Sequence, residues 1–182
     1  MQRAQDKVLN MQARANAMET LIEQGTLGQN LISSLGGMPV AGGSWSPALA
    51  SGTGFFNPAV DTAGVYIYTV LGTAPCPNAT ATVTVTIIPK PIAGVSASLS
   101  ICGNSAAQNL FPLLGNTAQL GGTWSPALAS GTGFFNPALD LASVYTYTVL
   151  GTAPCVNATA TVTITKILPP NEIGRASCRE RV

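Results

Sequence analysis

Histidine is absent, and charge nearly so: eight Lys and Arg and seven Asp and Glu make up 8% of the 182 residues. Without an imidazole, nothing is available to activate the many hydroxyls as nucleophiles. Between residues 24 and 171 the charged side chains are Asp61, Lys90, Asp140 and Lys166. That scarcity leaves no basic face for nucleic acid. It also leaves no close carboxylate pair of the kind glycoside hydrolysis uses. Single aspartates fall short of the roughly six to eight oxygens that Ca²⁺ collects. The four cysteines form no Cys-x-x-Cys pair, which together with the missing histidine argues against zinc. There is no Gly-rich phosphate loop. No apolar run approaches the roughly 18 residues of a membrane-spanning helix. No short apolar core follows a basic start, so an export signal would have to lie outside this chain. These absences leave no candidate catalytic, cofactor-binding or metal-ligating residue, and the chain reads as a non-enzyme.

What is present is a repeat. Residues 42–86 and 121–165 align without a gap at an offset of 79, and only seven of those 45 positions differ. Trp45 maps to Trp124, Cys76 to Cys155 and Asn78 to Asn157. Duplication this close signals an array of modules, built for length or multivalency. Thr and Val enrich the repeats, with Gly and Pro between the runs, so the fold class is all-β.

The two ends have a different composition. Residues 1–27 are rich in helix formers, and Val8, Met11, Ala15, Met18 and Ile22 recur at three- and four-residue steps. This predicts a short amphipathic helix over 1–27 that is foreign to the repeats. Upstream of Gly28 the alignment fails, since Glu23 stands where the second copy has Cys102. Residues 28–88 therefore read as an N-terminally truncated repeat and residues 92–168 as a complete one. Residues 172–182 resemble a translated sequencing adapter and are set aside from the fold.

Within the complete repeat, Ala158 to Thr165 alternates strictly, with Ala, Val and Ile on one face and Thr on the other. Such alternation marks a half-buried strand. Val144 to Leu150 is a second strand, joined to the first by a loop through Pro154 and Cys155. The pattern Asp140, small residues, Tyr145-x-Tyr147 resembles the tyrosine corner of immunoglobulin-like sandwiches, and Asp61, Tyr66 and Tyr68 repeat it. Large aromatics dominate small cores, so Trp45, Trp124, Phe55, Phe134, Tyr66 and Tyr145 are the expected structural core. Cys102 and Cys155 are expected to form a disulfide. It would contribute about 4 kcal/mol on a chain-entropy basis and would imply an oxidising, extracytoplasmic setting. Cys76 has no partner on this reading. Asn78-Ala79-Thr80 and Asn157-Ala158-Thr159 match the N-glycosylation sequon, a weak motif. Pro89-Lys90-Pro91 and Pro169-Pro170 read as semi-rigid joints.

The runs Ile101-Cys102, Leu110 to Gly115, Gly121 to Ser125, Gly133 to Pro137, Tyr145 to Val149, Pro154-Cys155 and Ala158 to Thr165 together resemble a known repeat. It occurs in very large bacterial cell-surface adhesins of the gliding-motility kind, exported by the type IX pathway. The resemblance implies tandem immunoglobulin-like or PKD-like β-sandwiches, secreted or held at the cell surface as spacer or adhesion segments. Their partners would be neighbouring repeats, surface glycans or other cells. It assigns no catalytic residue and no cofactor. The alternative is a carbohydrate-binding accessory module of a secreted enzyme, which requires a row of solvent-exposed aromatics.

Overall fold

The runs of alternating Thr and aliphatic residues are strands in the computed structural model, which describes residues 18–167. In chain order these are β1 (Met18–Glu23), β2 (Gln29–Asn30), β3 (Ser44–Ser46), β4 (Phe55–Phe56), β5 (Gly64–Val70) and β6 (Ala79–Ile88). The second copy gives β7 (Ala97–Cys102), β8 (Gln108–Asn109), β9 (Thr123–Ser125), β10 (Phe134–Phe135), β11 (Val144–Val149) and β12 (Ala158–Ile167). Single 3₁₀ turns follow β2 and β8, at Leu31–Ser34 and Phe111–Leu114. Among the described residues there is no α-helix. Two compact units result: Met1–Lys90 with Ala153–Cys155, and Pro91–Thr152 with Val156–Val182.

In the second unit, a four-stranded sheet has the order β7-β12-β11-β9. β11 lies antiparallel to both β12 and β9, whereas β7 joins β12 in parallel. A two-stranded ribbon, β8 with β10, forms a second sheet. Period-two alternation turns Tyr145, Tyr147 and Val149 of β11, with Ala160, Val162 and Ile164 of β12, into the core. Ile101, Leu110, Leu114, Leu128 and Phe135 complete that core.

The first unit repeats this plan, with a β1-β6-β5-β3 sheet and a β2-β4 ribbon. Its core holds Ile22, Leu31, Leu35, Leu49, Phe56, Tyr66, Tyr68, Val83 and Val85.

Three expectations need correction. The segment predicted as helix over 1–27 contains a strand at Met18–Glu23, paired in parallel with β6; residues 1–17 lie outside the described part. Helix propensity amounts to a few tenths of a kcal/mol per residue, and an open strand edge with a pocket for Ile22 outweighs it. Ile22 is buried where the second unit buries Ile101. The segment expected to be foreign to the repeats thus supplies the first unit's edge strand.

The second correction concerns the phenylalanine pairs. Phe55 and Phe134, expected in the core, are 46% and 42% exposed, while Phe56 and Phe135 are fully buried. Adjacent strand residues face opposite ways, so only one of each pair can point inward.

The third concerns the disulfide. Cys155 carries a free thiol, so the expected Cys102–Cys155 bond is not formed. Cys102 pairs in register with Ile167, the last residue of the ten-residue β12, whereas Cys155 precedes the start of that strand. At about 3.3 Å per residue, the strand separates the two by roughly 30 Å, far beyond the roughly 7 Å limit for a disulfide.

The adapter-like residues 172–182 lie outside the described part.

Candidate functional site

The polar side chains that could do chemistry in each repeat are gathered where the ribbon meets the sheet. Asp140, on the turn after β10, is buried. Its Oδ1 accepts from the Ala129 amide at 2.7 Å and its Oδ2 from the Asn136 amide at 2.7 Å. Asp61 repeats this, accepting from Ala50 at 2.8 Å and Asn57 at 2.7 Å. One carboxylate thus fastens two loops, and both of its oxygens are engaged. Lys166 Nζ donates to the Asp140 backbone carbonyl and lies 5.7 Å from the centroid of the Phe135 ring.

The tyrosines are equally committed. The Tyr145 hydroxyl donates to the Leu141 carbonyl at 2.8 Å, and Tyr66 donates to Thr62 at 2.7 Å. A hydroxyl bonded to the backbone a few residues upstream is the geometry of a tyrosine corner. Tyr147 donates to the Gln119 carbonyl and accepts from the Gly122 amide, both at 2.8 Å. Tyr68 does the same with Val40 and Gly43. This explains the Gly-Gly-x-Trp run. A Cβ on Gly122 would lie 2.5 Å from the Tyr147 ring and 2.6 Å from the Thr148 carbonyl. The following tryptophans lean on the same rings, with centroids 4.9 Å apart for Trp45–Tyr68 and 5.0 Å for Trp124–Tyr147. Both indoles are half-buried, and the Trp45 Nε1 has no hydrogen-bond partner.

Burial, and secondarily the charge of Asp140, pushes the Tyr145 phenol above its usual 10.0. Tyr66 is raised too, chiefly by burial, with its bond to Thr62 opposing the shift and Asp61 adding to it. The unfolded chain would ionise these phenols near pH 10 while the folded chain still holds their protons. Stability is therefore complete below that pH and falls as pH rises through and above it. Urea midpoints should drop between about pH 9 and pH 11, and Tyr145→Phe should shrink that drop.

The sequon asparagines are loop clips. Asn157 Oδ1 accepts from the Gly151 amide at 2.9 Å, and Asn78 accepts from Gly72 at 3.0 Å. Asn30 and Asn109 hold the start of the 3₁₀ turns through Ile32 and Phe111, each at 3.0 Å. These clips and the Asp clamps escaped the sequence reading. The available signal was that they recur at the 79-residue offset. Among the described residues, no cluster of His, Cys, Asp or Glu could hold a metal ion. Nor is any helix there long and apolar enough to cross a membrane.

No protein-family model matches the chain, and no curated protein matches it. Among solved structures it is similar to a titin fragment of immunoglobulin domains in an E-to-A variant. That match has 12% identity and a TM-score of 0.40, covering 82% of this chain and 62% of that one. It is also similar to Drosophila OTK extracellular domains 3-5, at 14% identity, TM-score 0.30, and 84% and 63% coverage. Sidekick-1 immunoglobulin domains 1-4 match at 14% identity, TM-score 0.27, and 89% and 52% coverage. The chain thus spans less than two-thirds of each of these structures. These neighbours are described as serial immunoglobulin or extracellular domains.

Proposed function

We propose that this chain is part of a non-catalytic spacer or adhesion array of immunoglobulin-like sandwiches, carried by a secreted or surface-bound bacterial protein. One observation carries the reading: the carboxylates and phenols shared by the two repeats are occupied in holding each module together. Both oxygens of Asp61 and of Asp140 accept backbone amides. All four tyrosine hydroxyls in those repeats donate to backbone carbonyls. A module whose carboxylates and phenols serve as fasteners supplies length rather than chemistry. The tyrosine corners and the four-stranded sheets support the immunoglobulin-like assignment. The sparse surface charge suits a tethered segment better than a concentrated free protein.

The carbohydrate-binding alternative requires aromatics presented in a row. Each repeat exposes one phenylalanine, Phe55 or Phe134, while the tryptophan leans inward on a tyrosine. A glycan array probed with the full chain should retain no glycan above background. Saturable binding that disappears in the Phe55→Ala, Phe134→Ala double variant would overturn the spacer reading.

A further inference from the structure

Two unlike strands fill one kind of slot. Met18 to Glu23 pair in parallel with Val83 to Ile88 of β6, and Ala97 to Cys102 pair in parallel with Val162 to Ile167 of β12. Strand and partner are both displaced by 79 residues, so the two registers coincide. The acceptor strands differ at only two of ten positions, Val85 against Ile164 and Ile87 against Lys166. The inserted strands, METLIE and ASLSIC, share only Ile22 and Ile101. Both isoleucines are buried. The slot therefore reads the main chain and an aliphatic anchor, which is how a sheet edge takes up an added strand.

The match is poorer in the first unit. Leu99 packs against the second unit's core. The same place on β1 holds Thr20, in register with the buried Val85. On the outer face, Ser98 and Ser100 lie opposite Thr163 and Thr165. There β1 sets Glu19 and Leu21 opposite Thr84 and Thr86, and Leu21 is left 44% exposed. Just ahead of β7, the Ser96 hydroxyl accepts from the Thr161 amide at 3.0 Å and lies 3.1 Å from the Thr161 hydroxyl. The residue 79 positions earlier is Ala17, which has no hydroxyl. Thus β1 holds the edge of β6 with one inward aliphatic anchor where β7 uses two, and it lacks the serine clasp.

We propose that the edge of β6 is a strand-acceptor site, at which a better-matched segment of another chain displaces Met18–Glu23. The occupant is an extended, uncharged segment with Leu and Ile at alternate positions, a serine between them and serines ahead of them. That is the chemistry of the strand beside β12. Its main chain takes over the ladder to β6, and its leucine fills the place of Thr20. Its leading serine reaches Thr82, the counterpart of Thr161 at the 79-residue offset. Exposed strand edges are where separate chains join by main-chain pairing. The site extends the spacer reading from length to assembly, but its geometry is independent of that reading.

The test is a fluorescein-labelled peptide spanning residues 93–101, titrated into the full chain and followed by anisotropy. It ends before Cys102 and carries no thiol. Binding should saturate, and a photoreactive version of the peptide should crosslink to residues 79–88. Thr20→Leu in the full chain gives β1 its second anchor. It should weaken peptide binding about tenfold, the equivalent of one partly buried aliphatic side chain. The same peptide carrying Ile101→Asp should not bind. The proposal is overturned if the peptide fails to bind saturably, or if its crosslinks fall on residues 158–167 instead. It is equally overturned if Thr20→Leu binds the peptide as its parent does, or if the Ile101→Asp peptide binds as well as the original. Failure of the peptide to bind would leave the spacer reading standing, whereas glycan binding would remove the spacer reading and leave the strand site.

Discussion

Phe135→Ala should remove most of the second unit's stability, while Phe134→Ala should leave it nearly unchanged. The two residues are adjacent and chemically identical, yet one is fully buried and the other 42% exposed. Phe135 packs edge-on against Tyr145 with centroids 5.7 Å apart, beneath Leu110 and Leu114. Truncating such a ring removes its transfer free energy and leaves a cavity, at a cost of about 3–5 kcal/mol. A domain this small has a total stability on the order of 5 kcal/mol. The exposed neighbour should cost within about 0.5 kcal/mol. Because each repeat holds one tryptophan, a Trp45→Phe background leaves Trp124 as the reporter of the second unit. Urea titration by fluorescence then reads the contrast directly. Equal losses for the two substitutions would show that the inward face of β10 has been misassigned.

That contrast also shows what the sequence could and could not convey. The strand β12 was legible because ten residues alternate, and alternation fixes both the strand and its inward face. The tyrosine corner was legible for a similar reason: acid, small residues and Tyr-x-Tyr sit at a fixed spacing. A two-residue strand of identical aromatics carries no period, so Phe134 and Phe135 cannot be told apart without the sheet around them. The segment Met18–Glu23 has helical periodicity, and only the open edge of β6, a long-range partner, makes it a strand. The Cys102–Cys155 pairing failed through direction. Sequence separation does not reveal that β7 runs parallel to β12, which puts the two sulfurs at opposite ends of the sheet. The Asp clamps are hard to see in sequence because a single carboxylate counts for little in catalysis or metal binding. As loop fasteners, single carboxylates are enough.

Asp140→Ala should therefore be as damaging as loss of the buried ring, and its isostere should show why. The substitution leaves the amides of Ala129 and Asn136 without the acceptor that the buried Asp140 carboxylate supplies. Each orphaned amide costs about 1–3 kcal/mol, so a loss of about 3–5 kcal/mol is expected. Asp140→Asn keeps the shape but turns one acceptor into an N–H₂ group facing an N–H donor, and should cost about 1–3 kcal/mol. Lys166 offers the contrasting case. It reaches the backbone carbonyl of Asp140 rather than the carboxylate. The first repeat has Ile87 at its position and keeps the same Asp61 clamp without a cation there. Lys166→Ile should thus cost within about 1 kcal/mol. Urea midpoints for the three variants, read through Trp124, should fall in the order Asp140→Ala, Asp140→Asn, Lys166→Ile, from most to least damaging. If Lys166→Ile proved as costly as Asp140→Ala, the turn would depend on the cation, and the carboxylate clamp would lose its standing as the shared fastener of both repeats.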